Sequence, residues 1–120
     1  MEKGMIFRPE EEMKNIQWKK SVKGSPGVWI QDFVTNKENT QVTVRYVKVE
    51  PNGEIIPHTH DVLEVFYIVE GKGELLMGDK RLVCSKGSCL VTPAGVRHGL
   101  KNMQDIPILL FCVFTPPLSE

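Results

Sequence analysis

The sequence predicts an all-β fold in a single domain, and three observations lead to this prediction. From Val28 onward, short runs rich in β-branched and aromatic residues alternate with turn residues. No stretch shows a helical period long enough to predict a long helix instead of strands. The chain has 120 residues, the size of one domain. About eight short strands with short connections predict a sandwich or a barrel, and closure of a barrel removes exposed strand edges.

The predicted strands follow from period-2 patterns that are bounded by glycine, proline, asparagine and aspartate. They cover residues 28–34, 40–49, 64–69, 74–77, 81–84, 88–92, 97–102 and 108–115. We expect the barrel domain to span residues 28–118. Residues 1–27 are predicted to form an N-terminal extension, in which Pro9 and the three glutamates after it open a short helical turn. Its apolar residues are expected to pack on the barrel or on a second subunit: Ile6, Phe7, Ile16 and Trp18.

Charge and hydropathy exclude several classes of partner. Fifteen basic residues balance fifteen acidic ones, so the sequence lacks the positive field on which nucleic-acid binding depends, and we expect no nucleic-acid partner. The longest apolar run, from Ile108 to Phe114, is much shorter than a bilayer span, and the N-terminus lacks an apolar signal core. We therefore expect no membrane association and a cytoplasmic location. Three cysteines without paired spacing, Cys84, Cys89 and Cys112, are interpreted as reduced and mostly buried thiols.

The candidate functional residues begin with a histidine pair. His58 and His60 are separated by one residue, which in an extended backbone places both rings on one face. Imidazole suits first-row transition metals, but two exposed loop histidines are the alternative interpretation. Glu64 would lie about 13 Å from His60 on a straight strand, so one ion requires a corner between them, at residues 61–63.

Burial of Glu64 is indicated by the apolar run that follows it, at residues 65–69. An unpaired carboxylate in such a setting is costly. A metal ion would relieve that cost, and so would an arginine, for which Arg45, Arg81 and Arg97 are available. The third histidine, His98, follows a proline–glycine turn 38 residues after His60.

Two separated blocks resemble the paired motifs of the cupin superfamily. Residues 53–71, GEIIPHTHDVLEVFYIVEG, resemble G-x(5)-H-x-H-x(3,4)-E-x(6)-G, with four residues instead of five before the first histidine. Residues 87–102, GSCLVTPAGVRHGLKN, match G-x(5)-P-x-G-x(2)-H-x(3)-N at every fixed position. The resemblance implies a jelly-roll barrel, also called a double-stranded β-helix, with His58, His60, Glu64 and His98 as metal ligands. It also implies one divalent transition metal ion, which would be iron, manganese, nickel, copper or zinc, and a homodimer.

The function expected from this resemblance is a metal-dependent enzyme, dioxygenase-like or isomerase-like, that acts on a small oxygen-rich molecule coordinated to the metal. Three imidazoles and one carboxylate leave two positions of a six-coordinate ion open for such a ligand. One alternative is a non-catalytic barrel that binds or senses a sugar or small acid, and another is a scaffold tied together by zinc. By strand alternation, the barrel is expected to be lined by Phe66, Ile68, Leu100 and Phe111. Asn102 is expected to support its strand or loop.

Overall fold

Two antiparallel sheets face one another in the computed structural model, which describes residues 3–21 and 24–119. The elements are α1 Glu10–Lys14, β1 Lys19–Lys20, β2 Val28–Val34, β3 Thr43–Val49, β4 Glu54–His58, β5 Leu63–Glu70, β6 Lys72–Met77, β7 Lys80–Ser85, β8 Cys89–Thr92, β9 His98–Lys101 and β10 Ile108–Thr115. One sheet has the order β1-β2-β3-β10-β5-β8, and the other has the order β4-β9-β6-β7. This is a jelly-roll barrel, as the sequence predicts.

The core lies between the sheets because the strands alternate in burial. On β10, Ile108, Leu110, Cys112 and Phe114 are buried, and the residues between them face outward. Strands β5 and β3 flank β10 and contribute their own buried residues to the same core. The bounds predicted for β2 and β10 agree with the structure residue for residue.

Most other bounds shift by one or two residues, and two larger differences, a late start of β3 and the additional strand β4, have local causes. β3 begins at Thr43, three residues later than predicted, because the side chain of Asn39 organises a turn there. Its Oδ1 accepts hydrogen bonds from the backbone of Gln41 and Val42, and its Nδ2 donates to the carbonyl of Thr35. β4 was not predicted, because the segment Glu54–His58 contains a proline and shows no alternation.

The N-terminal segment lies across the outer face of the six-stranded sheet. α1 follows Pro9, as predicted. The Trp18 ring packs against Tyr46 of β3, with 5.9 Å between the ring centroids. Ile6 and Phe7 are exposed in the single chain, so their packing against a second subunit stays a prediction. The chain has no helix, within the described residues, that is long and apolar enough to cross a membrane.

Two predictions of burial are wrong. Phe111 lies on the outward-facing side of β10 and is 39% exposed, because it falls between the buried positions of that strand. Cys89 begins the edge strand β8 and is also exposed, whereas Cys84 and Cys112 are buried as predicted. All three cysteines are free thiols.

Candidate metal centre

The four candidate residues come from three strands and one loop that meet at one end of the barrel. His58 ends β4, Glu64 lies near the start of β5, and His98 begins β9. β4 and β9 are paired, with His58 directly opposite His98. The chain then crosses from one sheet to the other between His58 and Glu64, and His60 lies in this connection. The predicted corner is therefore present.

The side chains of these residues converge. The ligand atoms of His58, His60 and His98 all lie within 4.8 Å of one another. The Oε1 atom of Glu64 is 3.0 Å from Nε2 of His60 and 3.0 Å from Nε2 of His98. The structure thus brings together every residue of the predicted ligand set.

Backbone carbonyls fix the orientation of the three rings. In each ring Nδ1 lies within hydrogen-bond distance of a carbonyl oxygen, and the partners are Ile56 at 2.8 Å from His58, Val62 at 2.9 Å from His60 and Val96 at 3.0 Å from His98. An Nδ1–H that donates to a carbonyl leaves the Nε2 lone pair available. Hydrogen bonds of this kind commonly orient histidines that bind metals.

The hydrogen-bond contacts of His60 and His98 include more acceptors than two neutral rings can serve. His60 and His98 each lie between two acceptors, a backbone carbonyl at Nδ1 and the Glu64 carboxylate at Nε2. A neutral imidazole carries one N–H, whichever tautomer it adopts. Two neutral rings therefore bring two donors to four acceptor contacts. Either two additional protons or one divalent cation would supply the missing charge.

The carboxylate at the centre is ionised. Glu64 is 7% exposed and burial raises its pKa, but hydrogen bonds and charge interactions with His60 and His98 lower the pKa to about 2 when these rings direct an Nε2–H at the carboxylate. Burial lowers the pKa of His58, which favours its neutral, ligating form. Thr92, opposite Glu64 on β8, also buries a hydroxyl that has no hydrogen-bond partner within the described residues.

The distances from Glu64 to two of the imidazoles fit a shared transition metal ion. Two ligands that each lie about 2.1 Å from one ion, at right angles, are separated by roughly 3.0 Å. The distances from Glu64 to His60 and His98 have this value. The donor set, imidazole with one carboxylate, suits first-row transition metals.

A cavity of about 220 Å³ opens directly onto this cluster. Most of its wall is apolar, and Phe66 and Leu100 line it as predicted. Besides the candidate ligands, four polar or thiol residues line the wall without having been predicted there: Ser21, Ser25, Arg45 and Cys112. Burial raises the pKa of the Cys112 thiol well above its ordinary value, and the neighbouring Glu64 raises it further. The sequence suggests Arg45 as a partner for Glu64, but in the structure its Nε donates to Asp32 at 2.7 Å.

The sequence also matches a known domain family. Residues 45–114 match the cupin domain, which is more than half of the chain. The chain belongs to the cupin family.

Individual relatives are distant. An uncharacterized protein from Methanocaldococcus jannaschii is 29% identical over 57 residues, which cover 48% of this chain and 46% of that protein. H2HPP isomerase from Bacillus subtilis is 25% identical over 81 residues, which cover 67% of this chain and 34% of the isomerase. The matches thus span half or less of these relatives. The polyketide cyclase RemF from Streptomyces resistomycificus has the same fold, with a TM-score of 0.84, 18% identity, and coverage of 97% of this chain and 83% of the cyclase.

Proposed function

We propose that His58, His60, Glu64 and His98 bind one divalent transition metal ion, and that the protein is a metal-dependent enzyme. Its substrate would be a small oxygen-rich molecule in the adjoining cavity, and the reaction would be dioxygenase-like or isomerase-like. One observation carries the proposal. His60 and His98 make four contacts with acceptors, two with backbone carbonyls and two with the Glu64 carboxylate, but as neutral rings they carry only two N–H donors. A divalent cation would correct this imbalance.

A divalent ion held there would polarise a substrate oxygen as a Lewis acid, and iron, manganese, nickel or copper would also permit chemistry with dioxygen. The chain's own residues prepare the site for this. Backbone carbonyls fix the three imidazoles, so little reorganisation is needed on binding. Phe114 packs edge-on against His60 at 5.7 Å and shields it from water.

The wall of the cavity supports reactions driven mainly by the metal. Cys112 remains a protonated thiol at neutral pH because its pKa is raised. Arg45 is always protonated. Neither group is suited to abstract a proton, so binding and orientation of the substrate are their natural roles. The isomerase and cyclase among the similar proteins are consistent with an enzyme, although they are remote in sequence.

A non-catalytic barrel that binds a sugar or small acid is the second candidate, and the largely apolar wall favours it, since few polar groups on the wall are available for catalysis. Turnover separates the two candidates. The metal content of the purified protein is measured first, followed by a screen of small hydroxylated carbonyl compounds for dioxygen uptake and for isomerisation. Turnover that is lost in His58→Ala supports the enzyme. A metal-loaded protein that binds compounds without converting them supports the binding barrel.

We also propose that two copies form a homodimer through the outer face of the six-stranded sheet. Tyr67 and Phe111 are paired across β5 and β10, and both are exposed there with Val91 of β8 beside them. Light scattering is expected to give a dimer for the wild type and a monomer for Phe111→Lys. Val83→Lys, on the edge strand β7 of the other sheet, is the control and is expected to stay dimeric. A monomeric wild type would contradict the proposal.

A further inference from the structure

Thr92 buries a hydroxyl next to the Glu64 side chain. Thr92 ends β8, where it faces inward, and it lies directly opposite Glu64 on the β5–β8 ladder. Residues directly opposite on neighbouring antiparallel strands share a face of the sheet, with about 4.5–5.5 Å between their Cβ atoms. Thr92 is 2% exposed, and its Oγ1 has no hydrogen-bond partner within the described residues. An unpaired hydroxyl therefore lies beside a candidate metal ligand.

This hydroxyl requires an explanation, because most buried polar groups form hydrogen bonds and a buried group without a partner is costly. Thr43 of β3 shows the usual arrangement. It is 1% exposed, and its Oγ1 accepts a hydrogen bond from the backbone N–H of Leu118 at 3.0 Å. Valine has the same shape as threonine and would avoid the cost at position 92. The stability of the fold therefore does not require a hydroxyl there.

A bound ion would change the donors that are available to Glu64. His60 and His98 both approach Oε1 of Glu64 with Nε2, at 3.0 Å. A neutral imidazole that binds a metal through Nε2 carries its proton on Nδ1, where the carbonyls of Val62 and Val96 can accept it. Neither ring then donates to the carboxylate. Any hydrogen bond to a metal-binding Glu64 must therefore come from another group.

We propose that Thr92 is a positioning residue whose hydroxyl donates to the Glu64 carboxylate when Glu64 binds the ion. The inference rests on the proposed function. Hydrogen bonds of this kind orient ligating carboxylates, and their loss typically costs about 10–100-fold in metal affinity. Among the described residues that line the cavity, Glu64 is present and Thr92 is not. Thr92 therefore acts through Glu64 and not by direct contact with a substrate.

The zinc affinity of Thr92→Val, measured by competition with a chelating dye, tests this role. Valine removes the hydroxyl and keeps the shape of the side chain, so the affinity is expected to fall about tenfold or more. Thr92→Ser restores a hydroxyl and is expected to stay within about threefold of the wild type. Thr43→Val is the matched control, because it removes a buried hydroxyl that is paired with Leu118, and its zinc affinity is expected to be unchanged.

Urea denaturation in the presence of a chelator separates positioning from a structural role. Thr92→Val is expected to unfold at the same urea concentration as the wild type or at a higher one, because it removes an unpaired hydroxyl. Thr43→Val is expected to unfold at a lower urea concentration, because the backbone N–H of Leu118 loses its acceptor. The two valine variants thus differ in opposite directions, one in affinity and the other in stability.

A double mutant shows whether Thr92 acts through Glu64. In protein that carries Glu64→Ala the carboxylate is absent, so the addition of Thr92→Val is expected to change zinc affinity by less than about twofold. If Thr92→Val does not fold, Thr92→Ala removes the same hydroxyl with a smaller side chain. It is then measured instead, with the same expected loss of affinity.

The outcomes separate this inference from the proposed function. Three results would overturn the role of Thr92 and leave the proposed metal site intact: zinc affinity unchanged without the hydroxyl, an equal loss in Thr92→Ser, or a loss that persists in the Glu64→Ala background. Failure of the wild type to bind zinc would overturn the proposed function itself, and with it the inference.

Discussion

Asn102 and Glu64 are both buried polar residues, but their donors and acceptors are paired to different extents. Asn102, at the end of β9 away from His98, is fully buried. Its Nδ2 donates to the carbonyls of Val49 and Ile106, and its Oδ1 accepts from the backbone N–H of Gln104. Donors and acceptors are matched there, so this side chain ties together three segments of backbone.

At the other end of β9, around Glu64, the numbers of hydrogen-bond donors and acceptors do not match if the rings are neutral. The carboxylate and two carbonyls converge on His60 and His98, and acceptors outnumber the protons of neutral rings. A buried polar group that is satisfied within the chain serves the fold, whereas the excess of acceptors around Glu64 supports the proposed binding site. Both groups belong to the same family motifs, so the motif alone does not distinguish their roles.

The largest expected effect is on the metal affinity of the proposed site around Glu64. His98→Ala removes one of the converging nitrogens and is expected to lower metal affinity more than about 100-fold, because loss of outer hydrogen-bond partners alone costs 10–100-fold. Asn102→Ala is the matched control, since it alters the same strand but no candidate ligand. Competition with a chelating dye measures both affinities. Equal affinity of His98→Ala and the wild type would remove His98 from the ligand set.

The second largest effect is on stability and concerns the hydrogen bonds of Asn102. Asn102→Ala leaves two carbonyls and one N–H without their partner and is expected to lower the free energy of unfolding by about 2–3 kcal/mol. Urea denaturation measures this loss. Asn36→Ala, at an exposed position, is expected to change stability by less than about 0.5 kcal/mol. An equally small change for Asn102→Ala would show that its hydrogen bonds contribute little.

Sequence patterns predicted the convergent residues better than the surroundings of the site. The family motifs single out His58, His60, Glu64 and His98 as candidate ligands, because metal binding requires particular residue types at fixed spacing. The strand β4 that carries His58 was missed, because a short segment with a proline lacks periodicity. Arg45 and Cys112 were not predicted as cavity residues, because their position depends on the register of three strands that lie far apart in sequence.

The smallest expected effect is on the pH dependence of stability and concerns Asp32, a carboxylate that is paired with Lys19 and Arg45. Burial raises its pKa, but hydrogen bonds from Arg45 and Lys19 lower it below the ordinary value. A carboxyl group with a lowered pKa in the folded state stabilises the protein above its unfolded pKa of about 3.9, and this contribution is lost as the pH falls further. Asp32→Asn is therefore expected to be less stable than the wild type at pH 7, with a difference that shrinks below about pH 4. A difference independent of pH, in urea denaturation across this range, would contradict the assignment.

If a divalent ion balances the acceptors around Glu64, as we propose, anomalous X-ray diffraction at the absorption edge of the metal will locate it there. Crystals of the wild-type protein, purified without chelators, are expected to show one anomalous peak per chain, within bonding distance of three imidazole nitrogens and the Glu64 carboxylate. A metal-free centre in crystals grown with excess zinc or manganese, with Glu64 still 3.0 Å from both rings, would mean that protons supply the charge instead.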